Sequence, residues 1–494
     1  MKKLLFLLSV LLVLPAIAQD IKWDVFEHEG VWYKILDEDA KTCKTRDGID
    51  YKSINEVSGD LILPETVKYE DKTYTLIAIG ESSFAGCKDL TSVTIPNTVT
   101  SIGHNAFIQC SGLTNVEVPN SVYTIGQNAF YECRNLKNIT LSSNLTSIEN
   151  YTFCNCETLT TIEIPNSVTS IGECAFYNCA NLTNLHIPNS VTSIGGRAFM
   201  ECSSLTEIIL PNSLTSIEAE VFESCSALKK VIIPNSVTSI GEVAFGGCSA
   251  LTGIEIPHSV ISIGGLAFTY CSALTDIIIP NSVTSIGEGA FTMCTGLTSV
   301  ELSNSLSAID RGTFQWCSAL TSILLPNSII SIGEMAFAEC SSLTNIAIPN
   351  SVTSIGNSAF YNCEKLASVY CHIAEPLVID EYTFKGDYAA TLYVPEGTKE
   401  AYSNAPYWQN FANIVDNLPN EGAGIDDISA DGYAVKAVAG GIEIEAPADT
   451  KVRVINISGV TVSETTAPGR IDLPAGIYIV TIDGTSIVRK VAVK

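Results

Sequence analysis

The feature that most constrains this chain is a repeat of 23 residues. Phenylalanine recurs thirteen times from Phe84 to Phe360, and every step is 23 residues long. Cysteine keeps the same step from Cys87 to Cys363. One unit reads L-x-x-V-x-I-P-N-S-V-x-x-I-G-x-x-A-F-x-x-C-x-x. A unit this short cannot bury its own apolar side, so successive units must stack into a solenoid.

The two halves of the unit predict different local structures. The alternation in L-x-x-V-x-I predicts a short strand, and stacked strands form a parallel sheet with neighbours about 4.8 Å apart. The Ala, Phe and Cys that follow the Gly are spaced as on a helix, which predicts one or two helical turns on the other side. Three units replace that Gly with an acid, at Glu149, Glu218 and Asp310. An acidic residue there favours a helix start at this position.

The unit resembles the BspA-type leucine-rich repeat of secreted and surface bacterial proteins. The resemblance covers residues 61–415, about 14 units when the closing segment is included. It implies a leucine-rich repeat solenoid with a parallel β-sheet on one face and short helical turns on the other. It also implies a non-catalytic role in binding host or matrix macromolecules.

The N-terminal residues predict export. Residues 1–18 combine a basic start, an apolar run and an Ala-x-Ala site, so we expect a secretory signal peptide that is removed before Gln19. An anchored transmembrane helix is the alternative, but the apolar run is short for it. No later segment is apolar for long enough to span a bilayer, so no membrane insertion of the mature chain is expected. Residues 19–60 lack the period and are interpreted as an N-terminal cap.

The residue pattern changes in the C-terminal part of the chain. Residues 416–430 are rich in Gly, Pro and Asn, which is typical of a linker. Residues 431–494 alternate with period two, which predicts a small C-terminal β-sandwich. Its segments "LPAGIYIV" and "RKVAVK" resemble the C-terminal sorting domain of the type IX secretion system. That resemblance implies contact with the secretion machinery and a location outside the outer membrane, and an ordinary β-domain is the alternative.

Charge and motif content narrow the function. The chain carries a formal net charge of −26, which repels phosphate backbones and anionic lipids, so nucleic acid is not an expected partner. The five histidines are scattered over different rows of the unit, and no catalytic motif is present. We therefore expect no enzyme activity, no cofactor and no metal. The favoured function is binding of an extracellular protein or glycan, and a structural surface scaffold without a specific ligand is the alternative.

Most of the 17 cysteines are expected to be buried free thiols. Thirteen of them lie in one interior row, where neighbours one strand spacing apart are too distant for a disulfide without local distortion. Thiols in a row also converge on no point, which argues against a metal site. Cys154 and Cys174 lie off this row in adjacent units. They are the only plausible disulfide pair, and the sequence leaves that pairing open.

The first candidate binding surface follows the strands. One position per unit, between the strand Val and Ile, points outward and is mixed apolar and acidic in the middle of the chain. This pattern predicts a strip for a basic, partly apolar partner, although simple packing along the ladder is the alternative. The strip consists of Ile209, Ile232, Glu255, Ile278, Glu301 and Leu324.

The second candidate surface lies two residues after each Phe. Most members of this row are polar or very small, which predicts that the row faces water. Three consecutive units depart from the pattern with Tyr270, Met293 and Trp316. Stacking would place these side chains next to one another across about 10 Å. An exposed apolar cluster of this kind is typical of an interaction site, and sequence drift is the alternative.

Overall fold

The computed structural model describes residues 25–48, 57–418, 434–438, 441–445, 450–456, 461–467, 469–473, 476–482 and 488–493. The predicted signal peptide, residues 1–18, lies outside the described residues, and so does residue range 419–430 of the predicted linker.

Each coil of the solenoid begins with a front strand, the short segment that carries the repeated Val. Front strands pair in parallel with their neighbours at a register of one unit, so that Ile139 lies opposite Val116. This arrangement confirms the predicted parallel sheet on one face. The front strands are Gly59–Ile62, Leu90–Thr94, Asn115–Glu117, Asn138–Thr140, Thr161–Glu163, Asn184–His186, Glu207–Ile209, Lys230–Ile232, Asp276–Ile278, Ser299–Glu301, Asn345–Ile348, Ser368–Cys371, Thr391–Tyr393 and Asn413–Val415.

The front face is divided into four separate ladders. In the described structure the coils at 251–257 and 320–326 have no front strand, although their interior side chains remain buried except Ile254, which is half-buried. The strand pattern is therefore looser than the strict sequence period, while the packing of the interior continues through every coil.

A second strand in each coil was not predicted. It is a dipeptide, Ser-Ile in most coils, that directly precedes the Gly or the acid in its place, and its Ile is buried. Because the segment is only two residues long, its alternation is too short to be recognised in the sequence. These strands also pair in parallel, and they are Ser101–Ile102, Thr124–Ile125, Ser147–Ile148, Ser170–Ile171, Ser193–Ile194, Ser216–Ile217, Ser239–Ile240, Ser262–Ile263, Ser285–Ile286, Ala308–Ile309, Ser331–Ile332 and Ser354–Ile355.

The predicted helical turns are wrong in detail. The segment from the Gly to the Cys, which we call the turn segment, contains consecutive hydrogen-bonded turns instead of a helix. Around Phe107, amides donate to carbonyls three residues earlier, and the amides between them donate to the next coil, as Phe107 does to Ala129 at 2.8 Å. The acids at the Gly position do not begin helices either. The Glu149 and Glu218 carboxylates accept hydrogen bonds from Ser147 and Ser216 at 2.6 Å.

The core of the solenoid is a column of stacked phenylalanine rings. From Phe84 to Phe384 neighbouring ring centroids are 5.0–5.7 Å apart, and the rings are inclined by at most 22°. The interior Val, Ile, Leu and Cys rows are buried beside this column. Each coil thus covers the apolar face of the next, as the stacking argument requires.

Aromatic residues close both ends of this core. At the N-terminal end, Phe26 is buried and stacks on Tyr69 with ring centroids 4.5 Å apart. At the C-terminal end, Trp408 is buried and donates from Nε1 to the Leu377 carbonyl at 2.8 Å. The N-terminal strands are Val25–His28, Val31–Asp37, Thr42–Thr45, Thr66–Tyr69 and Lys72–Ile79, and the C-terminal helices are the α-helix Lys399–Asn404 and the 3-10 helix Trp408–Asn410.

The C-terminal residues form two antiparallel sheets, in agreement with the predicted β-sandwich. Ile442 and Ile444 are buried in the first sheet, and Val452, Val454 and Val480 are buried in the second. The first sheet contains Ala434–Val438, Gly441–Glu445 and Gly469–Asp472, and the second contains Thr450–Asn456, Thr461–Ala467, Gly476–Ile482 and Val488–Val493. Within the described residues, every helix is too short or too polar to cross a membrane.

Candidate functional site: two outward surfaces on a closed interior

The thiol column, from Cys87 to Cys363, is structural. All 17 cysteines are free and buried. From Cys110 onward each column thiol donates to the Phe carbonyl of the preceding coil, with S···O distances of 3.1–3.3 Å. The sequence predicted the burial and the free thiols, but it contained no signal for this hydrogen-bond ladder.

The column thiols have little reactivity. Burial raises the pKa of Cys133, Cys202 and Cys248 to about 12. The thiolate, which is the nucleophile and the metal ligand, is therefore scarce at neutral pH. Among the described residues, no three His, Cys, Asp or Glu side chains converge to hold a metal ion.

The structure answers the open question about Cys154 and Cys174. Both are buried free thiols on the turn segments of adjacent coils, so the suggested disulfide is not formed. Burial raises the pKa of Cys154 to about 12, and the neighbouring Cys174 contributes to the rise.

The front strip lies on the surface but is not one continuous sheet. Ile209 and Ile232 are register partners on adjacent front strands, and Ile278 is opposite Glu301. All six members of the strip are exposed. Glu255 and Leu324, however, lie in the two coils that have no front strand. The strip is thus a set of short exposed pairs, with an interruption at each of those coils.

The row two residues after each Phe has an unexpected backbone. Every one of its members from Gly86 to Asn362 has a positive φ, from 53° at Asn178 to 73° at Gly247. Only Gly adopts this left-handed region without strain, and Asn tolerates it better than most residues. The small and polar composition of the row is therefore explained by backbone conformation, where the sequence had indicated only contact with water.

Tyr270, Met293 and Trp316 occupy this row, and we call them the aromatic patch. Their φ angles are 59°, 62° and 63°. Tyr270 and Trp316 are 56% and 42% exposed, and Met293 is half-buried. The Tyr270 and Met293 amides donate to the carbonyls of Thr292 and Gln315 in the next coil at 2.9 Å, so the three residues are in register on adjacent coils. Bulky side chains in this conformation are strained, and such strain is concentrated at functional sites.

A depression beside the aromatic patch was missed by sequence analysis. The residue two before each Phe is also left-handed, and in this row only two consecutive members, Gly289 and Gly312, are glycines. They leave a depression of about 370 Å³ between Leu266 and Met335, which we call the glycine groove. The sequence signal for this groove was the pair of glycines at the same position of two consecutive units. Such a pair is easily overlooked, because attention goes to the side chains that are present.

Thr292 and Gln315 also line the glycine groove and directly precede Met293 and Trp316, so the groove and the aromatic patch share the same coils. The Thr292 hydroxyl donates to the Gly312 carbonyl at 2.7 Å. Gln315 contacts the Met335 sulfur through Nε2 at 3.6 Å. Apolar and hydrogen-bonding groups thus lie side by side on one surface.

Comparison with known proteins adds a family and a fold. The family described as "BspA type Leucine rich repeat region (6 copies)" matches residues 71–183, 169–295, 262–391 and 307–414. A leucine-rich repeat protein from Bacteroides ovatus has 27% sequence identity and a TM-score of 0.60, over 80% of this chain and 99% of that chain.

A leucine-rich cell surface protein from Faecalibacterium prausnitzii has 28% identity over 70% of this chain and 94% of that chain, with a TM-score of 0.39. A leucine-rich repeat protein from T. pallidum has 27% identity over 46% of this chain and 90% of that chain, with a TM-score of 0.33. No curated protein matches the sequence.

Proposed function

The chain belongs to the BspA-type leucine-rich repeat family, and from this premise we propose that it is an exported bacterial protein that binds an extracellular protein or glycan through the turn face of its solenoid. Proteins of this family are generally not enzymes, and an interior occupied by stacked rings and protonated thiols offers no reaction site. An extended repeat surface, by contrast, suits the recognition of macromolecules.

The observation that carries the proposal is the aromatic patch. Three consecutive coils place Tyr270, Met293 and Trp316 in a backbone conformation that favours Gly. These side chains contribute less to packing than buried ones would, because Tyr270 and Trp316 remain 56% and 42% exposed. Exposed aromatic residues that are retained against a conformational penalty fit an interaction site, since Trp and Tyr dominate binding energy at interfaces.

The test is capture of extracellular ligands by the purified protein. We expect wild-type protein on a sensor surface to retain a matrix protein or glycan, and the double variant Tyr270→Ser, Trp316→Ser to lose at least about tenfold in affinity. Tyr123→Ser is the matched control, because Tyr123 is equally exposed but lies outside the aromatic patch and the front strip.

The front strip is the competing surface and is tested in the same assay. If the variant Ile232→Ser, Ile278→Ser loses capture while the patch variant keeps it, the binding face is the front sheet. If wild-type protein retains no ligand at all, the alternative of a structural surface scaffold is favoured.

Export is proposed on the sequence of the two ends. Residues 1–18 would direct the chain across the inner membrane, and the C-terminal β-sandwich would be recognised by a sorting machinery at the outer membrane. Deletion of residues 431–494 should then leave the protein in the periplasm, as shown by fractionation. Release of the truncated chain to the medium at the wild-type level would contradict a sorting role.

A further inference from the structure

The glycine groove has the shape of a site for one inserted side chain. A Cβ placed at Gly312 would meet Gln315 Oε1 at 3.4 Å and Thr292 Oγ1 at 3.7 Å, which are ordinary van der Waals contacts, so a small group fits there without a clash. A Cβ at Gly289 would meet Leu266 Cδ2 at 2.7 Å, because Leu266 leans over that edge. The groove therefore has polar walls at Gln315 and Thr292 beside Gly312 and an apolar wall at Leu266.

The polar groups around the groove are mainly acceptors. Glu242 and Glu288 line it and are exposed, and neither forms an ion pair within the described residues. Gln315 Oε1 also faces the groove, 3.4 Å from the position that a Cβ at Gly312 would take. The one cation of the lining, Arg311, lies 3.7 Å from the Glu334 carboxylate.

The field at this edge is negative. Burial raises the pKa of the nearby Asp310 carboxyl above its ordinary value, and the negative charge of Glu288 raises it further. The protein as a whole carries a formal charge of −26. A ligand that brings donors and positive charge is attracted both locally and at longer range.

The aromatic patch adds aromatic side chains to the acidic and apolar groups of the glycine groove. Tyr270 and Trp316 are exposed aromatic side chains on the coils that also contribute Leu266, Thr292 and Gln315 to the groove. Cations bind over Tyr and Trp rings, and arginine does so more often than lysine. Arginine also supplies five donors in one plane, which suits a rim of acceptors.

From these observations we infer that the glycine groove and the aromatic patch together bind an extended cationic peptide segment, with one arginine side chain in the groove and the neighbouring arginine and apolar side chains on the patch. The inference rests on the proposed function and names the chemistry of its partner. It differs from that function in requiring the groove as well as the patch.

Two variants separate the shape of the groove from its charge. Gly312→Asn places a side chain in the glycine groove, and Asn tolerates the left-handed backbone. Gly86→Asn is its control, since Gly86 has the same conformation and no neighbour within 4 Å. Glu242→Gln with Glu288→Gln removes the negative rim. Glu163→Gln is the charge control, because Glu163 is exposed on a front strand.

The probe is a fluorescein-labelled peptide of alternating arginine and leucine, measured by anisotropy on the full-length exported protein. We expect saturable binding, a loss of about tenfold in affinity for Gly312→Asn, and a smaller loss with weaker salt dependence for the Glu variant. Both controls should bind as wild type, and a glutamate–leucine peptide should not bind.

Wild-type affinity in both groove variants would overturn the inference. So would binding of a neutral β-linked glucose oligomer that Gly312→Asn abolishes, combined with no binding of the arginine peptide. Either result leaves the proposed function standing if the Tyr270→Ser, Trp316→Ser variant still loses its macromolecular ligand. Conversely, peptide binding that depends on Gly312 supports the groove even if no matrix protein or glycan is captured.

Discussion

Inner and outer residues of the same turn segment follow different rules. The Phe and Cys side chains point inward, where stacking and a thiol hydrogen bond specify the residue in coil after coil. Two residues after the Phe, the backbone is left-handed and the residue type varies, although some neighbours are linked, as where Asn178 Nδ2 donates to Asn155 Oδ1 at 2.9 Å. The fold therefore explains why the inward residues are the same from coil to coil. An outward residue that the backbone disfavours, such as Trp316, is accounted for by the proposed binding site.

The largest expected effect is on the inner side. Phe245 is fully buried between Phe222 and Phe268 at 5.5 and 5.4 Å. Phe245→Ala should lower the free energy of unfolding by about 3–5 kcal/mol, because it removes a ring from both stacks and leaves a cavity. Urea unfolding followed by circular dichroism measures this. Gln109→Ala, an exposed outer change, is the control, and equal losses in the two variants would erase the distinction.

Asp387 is the exception on the inner side, since it stands where the next column cysteine would be. It is buried, Oδ2 accepts a hydrogen bond from the Cys363 amide at 3.2 Å, and Oδ1 has no hydrogen-bond partner among the described residues. Burial raises the pKa of Asp387 to about 7. The folded state thus binds the proton more tightly, and stability should fall as pH rises from about 4 to about 7.

Asp387→Asn should remove this pH dependence. A shift of about three pKa units corresponds to a gain of up to about 4 kcal/mol above pH 7 and to little gain below pH 4. Thermal unfolding at pH 4 and pH 8 measures the difference. The same gain at both values would show that Asp387 is not protonated in the folded protein.

A smaller loss is expected within the thiol column. Cys248→Ala removes the bond from Sγ to the Phe222 carbonyl at 3.2 Å and a small buried volume, which should cost about 1–2 kcal/mol. Cys248→Ser keeps a donor and separates the hydrogen bond from the volume. Thiol labelling of the native protein should be slow until it unfolds, and rapid labelling at neutral pH would contradict the sealed interior.

The smallest effect, with the opposite sign, is expected on the outer side. Tyr270→Gly should stabilise the protein by about 0.5–1 kcal/mol, because glycine relieves the left-handed backbone. Tyr123 is equally exposed but has no positive φ, so Tyr123→Gly should destabilise it. Chemical unfolding of both variants measures the contrast. A loss of stability in Tyr270→Gly would mean that Tyr270 serves the fold.

Sequence reasoning was strongest where side chains repeat. The period placed Phe and Cys inside and identified the thiols as free, because a strict row of buried types has few other solutions. The turn segment was misjudged because the spacing of Ala106, Phe107 and Cys110 suits consecutive turns as well as a helix. The left-handed backbone at Gln109 and Trp316 could not be predicted from the sequence, because most units have a residue other than Gly at this position.

The strict step between coils has a consequence for the size of the protein. Front strands pair residue i with residue i+23, as at Asn115 and Asn138, so a whole unit can be added or removed without creating a new kind of contact. The length of the solenoid therefore changes in increments of about 4.8 Å, one increment for each unit. The position of a surface built from adjacent coils is likewise set by the number of units that precede it. Removing the single unit between Gly289 and Gly312 would leave a sound solenoid with half a groove.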